Sequence, residues 1–330
     1  PDSTSTVPYG TSAFALSTMP GDSNILILVD VQNDFHPSGS LAVANADQDA
    51  HHIASLIRRS IVSKTNNFSR IICTMDSHNT LHIANPGFWI SGEEYLANGT
   101  MLHPQPFTTI TSEEVKSKKW IPRPDMKVMN GKHLNLLGKF HLFNHSNIAD
   151  CFHDDQQTVD LNKWCVKYTE MLEQGEDHFK LTIWPEHCLV GTEGWCMVKE
   201  VRDAVREWEM ATGKTAEFIC KGSMNLTEMY SAVQAAVPVC SHTRFNDEMF
   251  VALAKESSRI FFCGQASSHC VNFTVRHLVM QLPEDERCKV AILTDCTSPV
   301  AGFEAVADSF FNDMKAVGVK CITSEEIVLD

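Results

Sequence analysis

The sequence predicts an α/β protein built on a doubly wound, mainly parallel six-stranded sheet with helices on both faces. Three observations carry this expectation. Short continuous apolar runs recur along the chain, each with the length and character of a strand buried on both faces. Longer helical patterns separate most of them, which is the rhythm of strand–crossover–strand units. Several of the runs also end in residues that carry chemistry, and parallel sheets bind ligands beyond the carboxyl ends of their strands.

The first run is 25–29 (ILILV), and a helical stretch over about 50–63 leads to the second, 70–74. A helix over about 197–211 precedes the third run, 216–220. Runs 259–263 and 290–294 follow, with helices near 270–281 and 303–316, and 317–322 closes the sheet. The stretch from about 86 to 183 breaks the rhythm. It is rich in Pro, Gly, Asn, His and Trp, and so long a segment without regular structure is unusual inside a compact domain. We read it as an insertion with short elements of its own, packed over one edge of the sheet. The expected organisation is an N-terminal arm at 1–24 and one α/β domain at 25–330, interrupted by the insertion at about 86–183. The arm is rich in Ser, Thr, Pro and Gly and lacks the basic start and apolar core of a signal peptide.

Composition narrows the function classes. The 330 residues are 43% hydrophobic and 21% charged, as in an ordinary folded protein. The excess of 41 acids over 27 bases gives a net charge of -14, which argues against a general nucleic-acid binder. No apolar run approaches the ~20 residues that cross a membrane. The 12 cysteines are scattered, and Cys73, Cys220 and Cys263 sit inside strand-like runs. That pattern predicts buried free thiols and a reducing, cytoplasmic setting.

Reading the strand ends gives a short list. The first ends in Asp30, the second in Asp76 with His78 close behind, and the third in Lys221–Gly222. The fourth ends in Cys263–Gly264 and leads through a Gly-and-Ser turn to Cys270. The fifth ends in Asp295, read as a carboxylate that bonds loop amides. Cys270 opens a helix, where free N–H groups and the helix dipole favour thiolate and lower its pKa from about 8.5. The amides of Ala266 and Cys270 could hold an oxyanion; the bland alternative is a buried structural cysteine. Asp76, His78 and the distant His187 form a donor set suited to a divalent metal ion, zinc above all, with iron or manganese as alternatives. His82 is either a further ligand or, the preferred reading, a residue that orients these ligands. The irregularly spaced His103, His133, His141, His145, His153 and His178 define no second metal site.

Together these residues resemble the nicotinamidase branch of the isochorismatase-like cysteine hydrolases. The resemblance rests on VDVQNDF at 29–35 followed by PSGSL at 37–41, Asp76-Ser77-His78, WPEHC at 184–188, Lys221-Gly222 with Tyr230-Ser231-Ala232, and GQASSHCV at 264–271. It covers roughly 24–85 and 183–325. It implies an Asp30–Lys221–Cys270 triad, in which Asp30 moves the thiol proton and Lys221 supplies positive charge. It also implies a metal at Asp76, His78 and His187, a pocket formed by Phe35, Trp184 and Tyr230, and a cis peptide at Gln265–Ala266. Gln265 stands where the family usually has an apolar residue, and Ser268 where an Asp is frequent. The long connection between His82 and Trp184 would overhang the pocket, with Trp89, Trp120 and Trp164 either lining its mouth or simply packed.

The implied function is a metal-dependent cysteine amidohydrolase that converts nicotinamide or a related small carboxamide to the acid and ammonia through a thioester. The alternatives are a family amidohydrolase acting on an acyclic amide, ureide or carbamoyl compound, and a non-catalytic binding protein on the same fold. Isochorismatase chemistry fits less well, because vinyl-ether hydrolysis needs neither the thiol nor this metal constellation. The expected partner is a small-molecule amide, with no nucleic acid and no membrane, and a homo-oligomer is left open.

Overall fold

The computed structural model describes residues 23–63, 67–127, 133–135, 138–139, 151, 158–175, 179–244, 253–254 and 257–328. Most of the expected arm, and His141, His145, His153 and His178, lie outside these residues.

Six parallel strands form the central sheet: β1 (Asn24–Val29), β2 (Phe68–Asp76), β3 (Glu217–Lys221), β4 (Arg259–Gly264), β5 (Val290–Leu293) and β6 (Lys320–Ile322). Their spatial order is β6-β5-β4-β1-β2-β3. β1 lies between β2 and β4, with Leu26 opposite Ile71 on one side and Phe261 on the other. Both faces of β1 are covered, which is why its sequence is uninterrupted Ile, Leu and Val rather than alternating.

One face of the sheet packs against α1 (Ala46–Val62) and α5 (Lys199–Thr212), where Ile53, Ile57, Val201 and Trp208 meet Leu26, Leu28, Ile71 and Phe261. The other face packs against α6 (Cys270–Met280) and α7 (Glu304–Ala316), where Val275, Leu278 and Phe310 meet Ile25, Ile27 and Phe262. The expected doubly wound sheet is therefore present.

Some boundaries differ from the sequence reading. β2 runs on to Asp76 because residues 72–76 pair with β3. β6 starts only at Lys320, since Val317 and Gly318 close α7: their amides bond back to the Asp313 and Lys315 carbonyls, and Gly318 has φ +95°. Cys73 and Cys263 are buried as expected, but Cys220 is partly exposed because β3 is the edge strand.

Between β2 and β3 the chain forms α2 (Gly92–Asn98), α3 (Ser112–Lys116) and α4 (Leu161–Gln174), with short antiparallel strand pairs. One pair joins Trp89–Ser91 to Trp120–Pro122, and another joins Thr109–Ile110 to Leu181–Thr182. α4 starts where Asp160 caps the amides of Asn162 and Lys163. Its Leu161, Trp164, Cys165, Tyr168 and Leu172 fall at helical spacing and turn one stripe inward. They join Trp89, Ile83 and Leu226 in a third apolar core. Among the described residues, no helix is long and apolar enough to cross a membrane.

Phe261 bridges β4 to the α1 layer and meets Phe68 edge-on with ring centroids 6.0 Å apart. Phe261→Ala is expected to lower unfolding free energy by about 3–5 kcal/mol, read from urea denaturation.

Candidate active site

The ends of β1, β2 and β3 meet because the strands are adjacent and in register, with Asp76 directly opposite Lys221. Lys221 is 2% exposed, and its Nζ lies 2.9 Å from Asp30 Oδ2 and 3.0 Å from Asp76 Oδ1. It also donates to the Met229 carbonyl at 3.2 Å and approaches Cys270 Sγ at 3.5 Å. Burial opposes its charge, but the Asp30 and Asp76 carboxylates prevail and hold Lys221 well above the ordinary lysine value. Asp30 Oδ1 accepts a 2.6 Å hydrogen bond from Thr74 Oγ1. Burial, reinforced by Asp76 and opposed by Lys221, raises the Asp30 pKa.

The sequence reading expected a thiol with a lowered pKa at Cys270. The structure reverses that direction. Cys270 does open α6, but it is buried, and that burial, with Asp30 and Asp76 nearby, outweighs Lys221 and pushes the thiol well above its usual value. A helix terminus lowers a thiol pKa only while solvent or cationic charge dominates its surroundings. The resting group is a neutral thiol beside a carboxylate whose own pKa is raised, a pairing suited to proton transfer between them.

The backbone around Cys270 is tightly specified. Gly264 has φ +108°, and a Cβ there would lie 2.0 Å from the Val29 carbonyl oxygen. The Gln265–Ala266 peptide is cis. The amides of Ala266 and Cys270 have no hydrogen-bond acceptor among the described residues, and both residues line the same cavity. Gln265, polar where its relatives were expected to be apolar, donates from Nε2 to the buried Asp49 Oδ2 at 2.9 Å.

Asp76, His78 and His187 are all buried, and their potential ligand atoms lie within 4.8 Å of one another. His78 Nε2 is 3.0 Å and His187 Nε2 3.3 Å from Asp76 Oδ2. Each imidazole donates its Nδ1–H to a main-chain carbonyl: His78 to Gly222 at 3.1 Å, His187 to Pro185 at 2.8 Å. In the neutral rings this leaves both Nε2 lone pairs converging on a carboxylate oxygen, an arrangement that fits a divalent cation. Gly222 (φ +73°) makes room, since a Cβ would sit 2.7 Å from Asp76 Oδ1. His82 spends both ring nitrogens on main chain, Nε2 donating to the Thr227 carbonyl and Nδ1 accepting from the Ala84 amide, so it packs beside His78 with neither nitrogen left for a metal.

Phe35, Trp184 and Tyr230 line the narrow cavity that holds these groups, in which about 30 Å³ is open to a water-sized sphere. Trp184 Nε1 donates to Tyr230 Oη at 3.0 Å, and Phe35 meets His187 edge-on at 5.5 Å. Trp89 and Trp164 are fully buried away from the cavity, so they pack and do not line its mouth, and Trp120 borders a separate cleft beside α4. Asp295 accepts from the amide and hydroxyl of Ser324, as expected of a loop-bonding carboxylate.

Three contributors escaped the sequence reading. Gln32 clamps Asp76, accepting from its amide at 2.7 Å and donating to its carbonyl at 2.8 Å; its place between Asp30 and Asp34 was the available signal. His269 sits edge-on to Trp184, Tyr230 and Phe303 at 5.1, 5.2 and 4.7 Å. Its Nδ1 faces Ser268 Oγ at 2.9 Å, and that hydroxyl accepts from the Val300 amide. Burial lowers the His269 pKa to about 4, so the ring is neutral. Glu228 also lines the cavity, and nothing in its sequence surroundings marked it.

No protein-family profile matches the chain, and no curated protein does. Solved structures do match. An Acinetobacter baumanii nicotinamidase/pyrazinamidase superposes with a TM-score of 0.55 at 20% identity, covering 94% of this chain and 100% of that one. The yeast nicotinamidase Pnc1p bound to the inhibitor nicotinaldehyde gives 0.54 at 20% identity, covering 91% and 99%. The chain thus has the isochorismatase-like α/β fold of nicotinamidases.

Burial pushes the Asp49 carboxyl behind Gln265 up to about 6 from 3.8. Between these values the native state keeps a proton that the unfolded chain releases, so wild-type stability falls as pH rises through this window. Asp49→Asn removes that loss. The stability of the variant relative to wild type should rise by on the order of 2 kcal/mol from pH 4 to pH 7, measured by paired urea titrations.

Proposed function

We propose that the chain is a metal-dependent cysteine amidohydrolase acting on nicotinamide or a related small carboxamide, with residues 25–330 as one domain carrying an insertion at about 86–183. The observation that carries this reading is a single small cavity bordered by the Cys270 thiol, two free amides and the Asp76–His78–His187 donor set. The cavity is tight, with about 30 Å³ open to a water-sized sphere, which favours a compact substrate. Its Phe35, Trp184 and Tyr230 walls favour a planar ring.

In this reading Asp30 takes the Cys270 proton, and the sulfur attacks the carboxamide carbon to form a C–S bond. The amides of Ala266 and Cys270 donate to the developing oxyanion. The C–N bond then breaks, Asp30 passes its proton to the departing nitrogen, and ammonia leaves a thioester on Cys270. Water attacks the thioester, Asp30 receives its proton, and the acid departs as the thiol is restored. Lys221 stays charged throughout and stabilises the transient thiolate. A divalent ion held by Asp76, His78 and His187 would supply Lewis acidity toward a ring nitrogen or a water molecule. His269, with Nδ1 engaged by Ser268, has Nε2 left to face the substrate.

Ammonia release from nicotinamide should be lost in Cys270→Ala and fall by at least about a hundredfold in Asp30→Asn. Millimolar nicotinamide that yields no ammonia would exclude this substrate and direct attention to acyclic amides, ureides and carbamoyl compounds. Zinc added to chelated protein should be retained through desalting by wild type and not by a His78→Ala, His187→Ala double variant, as read by elemental analysis.

A further inference from the structure

The loop after β3 carries Glu228 and Tyr230 to the cavity wall, with Met229 between them, yet residues 222–230 form no helix or strand. Buried main-chain groups in such a loop need partners from elsewhere. Those partners come largely from outside the sheet. Trp164 of α4 donates from Nε1 to the Leu226 carbonyl at 3.1 Å, and Tyr168, one turn further, accepts the Glu228 amide at 2.8 Å. Both side chains are fully buried and stacked, with centroids 6.2 Å apart. The next links are local: the Met229 amide donates to Glu228 Oε1 at 2.8 Å, and the Met229 carbonyl accepts from Lys221 Nζ at 3.2 Å.

We propose that α4, within the 86–183 segment, braces this loop, with Tyr168 and Trp164 as positioning residues. Through them α4 holds the Met229 carbonyl against Lys221, and so keeps Lys221 aimed at Cys270. These bonds tie α4 to the loop that carries Glu228 and Tyr230, and neither Trp164 nor Tyr168 lines the cavity. The inference rests on the proposed role of Cys270 as nucleophile. Neither residue touches the reacting atoms, so both act through the loop.

The test compares Tyr168→Phe with Thr169→Val. The first removes a hydroxyl bonded to the loop; the second removes a buried hydroxyl bonded only within α4, to the Cys165 and Val166 carbonyls. The rate of Cys270 alkylation by iodoacetamide, resolved by peptide mass spectrometry, is measured beside kcat, KM and Tm. Tyr168→Phe should slow Cys270 alkylation and lower kcat roughly fivefold, with KM within about twofold. Thr169→Val should leave both rates within about twofold despite a similar loss of Tm. Trp164→Phe, which deletes the other bond, should repeat the Tyr168→Phe pattern and serves if that variant does not fold. Wild-type rates in Tyr168→Phe, or rates that track Tm equally in both hydroxyl variants, would overturn the inference while leaving the hydrolase reading intact. A Cys270→Ala variant that releases ammonia from nicotinamide at the wild-type rate would overturn both.

Discussion

A buried ammonium group is the constraint on which this arrangement turns. Taking the Lys221 charge out of water costs several kcal/mol unless opposite charge and hydrogen bonds replace the solvent. Asp30 and Asp76 supply the charge, and the Met229 carbonyl supplies a further acceptor. These groups come from the ends of β1 and β2 and from the loop after β3. They can meet only if the three strands are adjacent, parallel and in the observed register. The sheet order and the cluster therefore support each other. A one-residue slip of β3 would reverse the side of the sheet on which Lys221 projects and strand both carboxylates.

The fold was legible because both faces of the sheet are covered. Double burial demands continuous apolar runs, and 25–29, 259–263 and 290–294 stand out against the polar turns between them. Asp30, Asp76, Lys221 and Cys270 were legible for a related reason: polar residues at the ends of such runs lie where parallel sheets expose their strand termini. The thiol's electrostatics were not legible. Helix position is local, whereas the burial of Cys270 and its neighbours Asp30 and Asp76 depends on contacts far apart in sequence. Gln32, Tyr168 and Trp164 were hidden by the same limit, since each bonds to main chain, and a main-chain partner leaves no mark in residue identity.

The neutral state of Cys270 and the raised pKa of Asp30 share one cause. Both lie in a space with almost no solvent, where a single ammonium already faces two carboxylates and is outweighed by them. Forming thiolate there adds a further negative charge, which becomes easier as the proton moves to Asp30 and removes one. In the proposed reaction the thiol and the acid therefore exchange charge while the local total stays constant, which limits the electrostatic reorganisation of the surrounding dipoles.

Both imidazoles of the metal-competent group are anchored through Nδ1 to carbonyls of the peptide chain, at Gly222 and Pro185. Their orientation is thus set by the course of the backbone more than by neighbouring side chains. Such a centre should tolerate sequence drift around it and resist changes in chain length poorly. A single inserted or deleted residue between Trp184 and His187, or at the Lys221–Gly222 turn, would rotate a donor away. Many conservative replacements nearby would leave the donors where they are.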